Sequence, residues 1–220
     1  MTPQDIYNPP PDCGLELIYA DEFLLAVGKP AGLLSVPGRG EDKIDSLATR
    51  VRAEYPDALV AHRLDRDTSG LILFPQGADM HRRISMMFEK REMQKSYVAV
   101  VMGKLEPGQG EVNMPLMVDW PNRPRQMVDA ATGKPSLTRY QVLSYDAASN
   151  TSRVSLEPIT GRTHQLRVHM SASGHPILGD TLYGGNADGW TERLLLHAHT
   201  LDFRHPVTGE SLSLVSDLPF

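Results

Sequence analysis

The sequence predicts an α+β fold: a mixed, mainly antiparallel central sheet with flanking helices, in a single domain. Three observations lead there. Short apolar runs come in pairs joined by polar corners, as in antiparallel hairpins, at 15–19 with 23–27 and at 137–144 with 153–157. Strand-like and helix-like segments alternate without the regular rhythm of βαβ units, which disfavours a doubly wound parallel sheet. The 220 residues, 40% of them hydrophobic, suffice for one substantial core, and no repeat or linker divides them.

Met1 to Gly14 is rich in proline and polar groups and is expected to be an extended arm, with the folded body spanning 15–220. The first hairpin follows, turning at Asp21-Glu22 and ending at Lys29-Pro30. AGLLSVPGRGEDK (31–43) mixes glycine, proline and charge, the composition of a loop that can carry function, with Lys29 and Arg39 as its cations. Ser46 to Tyr55 reads as a short helix capped by Asp45 or Ser46, with Leu47, Val51 and Tyr55 recurring every fourth residue.

The densest stretch is AHRLDRDTSGLILF (61–74), a charged loop placed directly before a continuous apolar strand. Such a loop can be a set of ion pairs or an active site, and its own residues leave both open. Asp79 to Glu92 is the clearest amphipathic helix, with Met80, Ile84, Met87 and Phe88 on one face. Lys95 to Met102 has the β-branched content of a strand, and Lys95 and Tyr97 share one side of it. After a turn over 103–110, Met114 to Lys134 reads as a long ordered loop or ribbon in which Trp120, Arg123 and Arg125 can stack on bases and pair with phosphates. Thr163 to Ser173 is expected to be a helix ended by Gly174, with His164, Arg167 and Ser171 on a common face. The tail reads as two antiparallel strands around His205 to Gly209.

Composition narrows the chemistry. A net charge of -5 argues against holding nucleic acid by bulk positive charge, while leaving room for a local basic groove. One cysteine, Cys13, cannot form an intramolecular disulfide and fits a reducing compartment. No stretch approaches the roughly eighteen apolar residues of a membrane span, and the start lacks a signal-peptide pattern. The expected protein is cytoplasmic, with no membrane contact, and a monomer. Eight histidines invite a metal reading, with His197 and His199 on one side of a strand, but no ligand motif of the H-E-x-x-H kind occurs. Walker, dinucleotide and serine-elbow motifs are missing too. The expectation is therefore no metal and no cofactor. What remains is a carboxylate among arginines and a tyrosine, parts that suit chemistry on a nucleotide.

HRLDRDTSG at 62–70 resembles the H-R-L-D-x-x-T-S-G signature of the RluA-type RNA pseudouridine synthases. Three further landmarks follow the order of that family: GKPAGLLSVPG (28–38), KSY (95–97) and GRTHQLRVH (161–169). The resemblance implies the pseudouridine synthase fold, and isomerisation of uridine in RNA by cleavage of the C1'–N1 bond, rotation of the uracil and reattachment through C5. It also implies that Asp65 is the essential aspartate, Arg63 helps hold the target base out of its helix, Tyr97 stacks on the uracil, and Arg167 pairs with the catalytic aspartate. Lys95, Arg123 and Arg125 are the expected RNA contacts. DWPNRPRQ (119–126), TGKP (132–135), GHPILGD (174–180) and LLLHA (194–198) are most similar to the short dual-specificity branch, which implies a uridine in the tRNA anticodon stem-loop and one in 23S rRNA. With the aspartate motif beginning at residue 62, an S4 RNA-binding domain is not expected. Asp67 departs from the branch, which has a small residue there, and is expected to point away from Asp65. Two other readings are kept: a noncatalytic RNA-binding or RNA-folding protein on the same scaffold, and a metal-dependent phosphoesterase.

Overall fold

A computed structural model describes residues 7–185 and 190–220. The chain gathers into two compact units, one of Met1–Gln94 with Ala198–Asp217 and the other of Lys95–His197 with Leu218–Phe220. All register pairings given below are antiparallel and three α-helices are present among the described residues, the α+β architecture expected from the sequence.

In the first unit, strands β1 (Glu16–Ala20) and β2 (Leu24–Lys29) form the expected hairpin. Its corner is set by Asp21, whose Oδ1 accepts the N–H groups of Phe23 and Leu24 at 2.8 Å each. Strand β3 (Ser69–Pro75) runs antiparallel to β2 from Leu24↔Pro75 to Lys29↔Gly70. Both strands are buried along their whole length, which is why their sequences are apolar without alternation. Strands β10 (Leu196–Arg204) and β11 (Ser211–Val215) complete the order β1-β2-β3-β10-β11.

Alternate residues of three strands, Leu24 and Ala26, Leu71 and Leu73, Leu201 and Phe203, share one core cluster with Met80 and Ile84 of helix α2 (Gly77–Lys90). The period of two in the strands and of four in the helix is what brings these side chains to one layer. Helix α2 ends at Arg91, which takes the left-handed conformation (φ 60). Helix α1 (Leu47–Glu54) starts from a reciprocal cap: Ser46 Oγ accepts the Thr49 N–H, and Thr49 Oγ1 accepts the Ser46 N–H. The proline-rich arm lies along this helix. Tyr7 is buried, its hydroxyl donating to Asp45 O and accepting from Leu34 N–H, and Arg50 donates to the Pro10 and Pro11 carbonyls.

The second unit has strands β4 (Gln94–Met102), β9 (Thr151–Pro158), β8 (Leu137–Asp146) and β5 (Gln109–Asn113), in the order β4-β9-β8-β5. The proline-rich stretch after β5 is a two-stranded ribbon, β6 (Leu116–Val118) and β7 (Gln126–Val128), joined by a 3-10 turn at Trp120–Asn122. Helix α3 (Gln165–Ala172) adds Leu166 and Met170 to a core with Ala99, Val101, Val154 and Leu156. It begins two residues later than Thr163, with His164 at its cap in the left-handed conformation (φ 54). Its residues Gln165 to Met170 are all buried. A helix enclosed on every side must give each polar side chain a partner. Gln165 donates to Leu137 O and Thr138 Oγ1, and His169 bonds Thr138 Oγ1 and Met114 O. Burial accordingly lowers the pKa of His169.

Candidate active site

The loop that carries Asp65 is held by its backbone. His62 opens it: Nε2 accepts the Leu73 N–H of β3 at 2.9 Å, which fixes the ring proton on Nδ1, and the ring packs on Phe88 of α2 at 4.5 Å between centroids. On one side of Asp65, the buried hydroxyl of Ser35 bridges both polar groups of Leu64, accepting its N–H at 3.1 Å and donating to its carbonyl at 2.7 Å. On the other side, the Arg66 carbonyl accepts from the Gly32 N–H at 2.9 Å and from Lys29 Nζ at 2.7 Å. Residues 29–35, inside the segment GKPAGLLSVPG (28–38), therefore clamp the chain immediately before and after Asp65. The half-buried carboxylate leaves this clamp with its main chain determined on both flanks.

In the sequence Lys29, with Arg39, reads as a cation of a loop that can carry function. The structure instead buries it, 2% exposed, with Nζ also donating to the Pro30 and Leu33 carbonyls at 2.9 and 2.7 Å. A buried ammonium needs such acceptors, and a chain of four methylenes reaches them from inside β2. Gly70 ends the loop with φ 110, where a Cβ would land on the Ala198 backbone.

Asp67 is explained by its neighbour. Arg66 Nε and Nη2 hold its two carboxylate oxygens at 2.9 and 3.3 Å, so the carboxylate is neutralised by the arginine beside it. Arg63 is exposed and makes no hydrogen bond or ion pair with the described residues.

In the second unit the polar groups are held by side chains. Arg167, 3% exposed, forks onto Asp180, with Nε to Oδ2 and Nη2 to Oδ1 both at 2.8 Å. Asp180 Oδ1 also accepts the N–H groups of Leu182 and Tyr183. Burial alone would raise the Asp180 carboxyl, but the guanidinium and the two backbone donors outweigh it and hold its pKa below the ordinary value. Tyr183 ties the neighbourhood together. Its ring lies 5.2 Å from the Arg167 guanidinium and its hydroxyl bonds His164 Nδ1 at 2.7 Å and the Gln126 N–H at 2.8 Å. Ser171 donates to its carbonyl. His164, Arg167 and Ser171 thus do meet, on Tyr183, although His164 does so from the helix cap.

Lys95 and Tyr97 lie two residues apart on β4, and burial pushes the Lys95 ammonium below its ordinary pKa. On the ribbon, the Arg123 guanidinium stacks 3.6 Å over Trp120, and Arg125 lies 5.5 Å from the Tyr183 ring. His197 and His199 are occupied otherwise than as a ligand pair: His197 meets the Phe220 ring edge-on and His199 Nδ1 bonds Ser216 O. Among the described residues, no three His, Cys, Asp or Glu gather as a metal site requires.

A family model described as RNA pseudouridylate synthase matches residues 24–172, from β2 to the end of α3. The chain belongs to the RNA pseudouridylate synthase family. It is 49% identical over 215 residues, 97% of this chain and 98% of the relative, to the dual-specificity RNA pseudouridine synthase RluA of Escherichia coli (strain K12). It is 51% identical over 201 residues, 91% of this chain and 81% of the relative, to the protein of the same name from Vibrio cholerae. Human RNA pseudouridylate synthase domain containing 1 is similar in structure, with a TM-score of 0.76 and 29% identity, covering 100% of this chain and 87% of that one. As a member of the family the protein is an isomerase that converts uridine to pseudouridine in RNA.

Sequence reasoning missed Ser35, Asp180 and Tyr183. Asp180 carried no signal of its own, since the burial of Arg167 that calls for a carboxylate shows only in the folded helix. Ser35 carried none, since a serine in a glycine-rich loop looks the same whether or not it holds another loop.

Proposed function

We propose that Asp65, Tyr97 and Arg167 carry the isomerisation, and that Arg63, Lys95, Arg123 and Arg125 hold the RNA. The observation that bears most on this is the clamp around Asp65. Of the two carboxylates in the loop, Asp67 is taken up by Arg66, while Asp65 has its flanking backbone fixed by Ser35, Gly32 and Lys29. A nucleophile or base must be presented in a determined position, and fixing the chain on both sides does that without using the carboxylate itself.

In this reading Asp65 initiates cleavage of the C1'–N1 bond of a uridine extruded from its stack, with Arg63, exposed and unpaired among the described residues, occupying the vacated space. The uracil, held against the Tyr97 ring, rotates and bonds to C1' through C5. The C5 proton then leaves, and Tyr97 is its acceptor. No redox change occurs: C5 gives up its proton, N1, freed from C1', takes one up, and the composition of the nucleotide is unchanged. The targets are a uridine in the tRNA anticodon stem-loop and one in 23S rRNA, in the cytoplasm; the relatives named dual-specificity synthases and the motifs at 119–126 and 174–180 support this choice.

The test is tritium release from RNA carrying C5-tritiated uridine. Release from the anticodon stem-loop and from a 23S transcript is expected. Release from neither RNA would contradict the reading.

A further inference from the structure

The turn of the ribbon holds an aromatic side chain that contributes nothing to a core. Trp120 is 62% exposed, yet it is held in place. Arg123 covers one face of its indole at 3.6 Å. The turn beneath is closed by backbone bonds from Asn122 N–H to Asp119 O and from Arg125 N–H to Asn122 O. Asn122 Nδ2 further caps the Asp119 carboxylate at 3.0 and 3.1 Å. The far strand of the ribbon is tied to Tyr183, whose hydroxyl accepts the Gln126 N–H. The indole is therefore an ordered plane with one face stacked on a cation.

The charges around it select an occupant. Neither Arg123 nor Arg125 pairs with a carboxylate among the described residues, and the nearby acid, Asp119, is already engaged by Asn122. A flat aromatic with two unneutralised guanidinium groups within five residues fits a nucleobase and its phosphates better than an apolar protein surface. A base in a duplex hides both faces, so the ligand must be unpaired. We infer that Trp120 is a stacking platform for an unpaired nucleobase of the RNA substrate, with Arg123 and Arg125 on the adjoining phosphates. The inference rests on the proposed action on RNA loops and adds a requirement to it: substrates must present a second free base besides the target uridine.

Trp190→Phe leaves Trp120 as the only tryptophan, because the chain has two. In that protein an anticodon stem-loop should quench indole fluorescence, while a blunt RNA duplex should not. In the natural background, Trp120→Ala should raise KM for the stem-loop roughly 5- to 150-fold, the range of a lost base stack, and Trp120→Phe should recover most of it. An unchanged KM in Trp120→Ala overturns the platform and leaves the surface to a protein partner. Equal quenching by duplex, or a loss confined to kcat, overturns it as well. Quenching is read without turnover, so an inactive natural enzyme would strike the functional reading, whereas an unquenched Trp120 strikes the platform alone.

Discussion

The Asp65 loop and helix α3 each hold a charged side chain, and they do so by different physical means. Around Asp65 the holding groups are a serine hydroxyl, a lysine and a backbone N–H, all acting on main-chain atoms of Leu64 and Arg66. Around Arg167 the holding group is another buried charge, Asp180, on the guanidinium itself. The first arrangement acts on the main chain on either side of Asp65. The second fixes the side chain firmly but makes its environment depend on a second ionised group.

The largest expected effect comes from breaking the second arrangement. Asp180→Ala removes the buried carboxylate that forks with Arg167 and should cost about 3–5 kcal/mol of stability, read from urea denaturation. Ser35→Ala breaks the first. It leaves the Leu64 N–H and carbonyl buried without partners, so it should cost about 1–3 kcal/mol and lower kcat, while KM for RNA stays near its natural value. A loss in KM alone would show that Ser35 does not position Asp65.

Acid separates the two regions. The Asp180 pKa is held below its ordinary value, so its contribution is fully present above the unfolded pKa of about 3.9 and is lost as pH falls through the folded one. The stability gap between the natural protein and Asp180→Asn should be constant from about pH 7 to 5 and shrink below about pH 4. The gap for Ser35→Ala should stay flat, because the groups that this substitution separates are a hydroxyl and main-chain atoms, which carry no charge. The smallest effect belongs to Asp67→Ala, which removes a half-exposed pair with Arg66 and should change stability by less than about 1 kcal/mol, with activity retained.

The same contrast governs what could be read from the residues. The strands and helices were legible because burial on one or both faces leaves a period in the sequence: Leu71 to Phe74 as a continuous run, Met80 and Ile84 one turn apart. Helix α3 was legible in place but not in character, since its charged and polar residues suggested one facing stripe and the structure encloses Gln165 to Met170 on all sides. The clamp was illegible, because hydrogen bonds from Ser35 and Lys29 to main-chain carbonyls impose no residue type on the other partner. Asp67 was the hardest position to explain from sequence. Its answer was the adjacent residue, since Arg66 and Asp67 form a pair whose geometry only the folded loop reveals.

We propose that the clamped loop presents Asp65 to the RNA. Asp65→Asn in the tritium-release assay, with RNA binding measured on the same preparation, decides the point. Release should fall at least roughly 10²–10⁴-fold with RNA affinity retained. Release near the rate of the natural enzyme would contradict it.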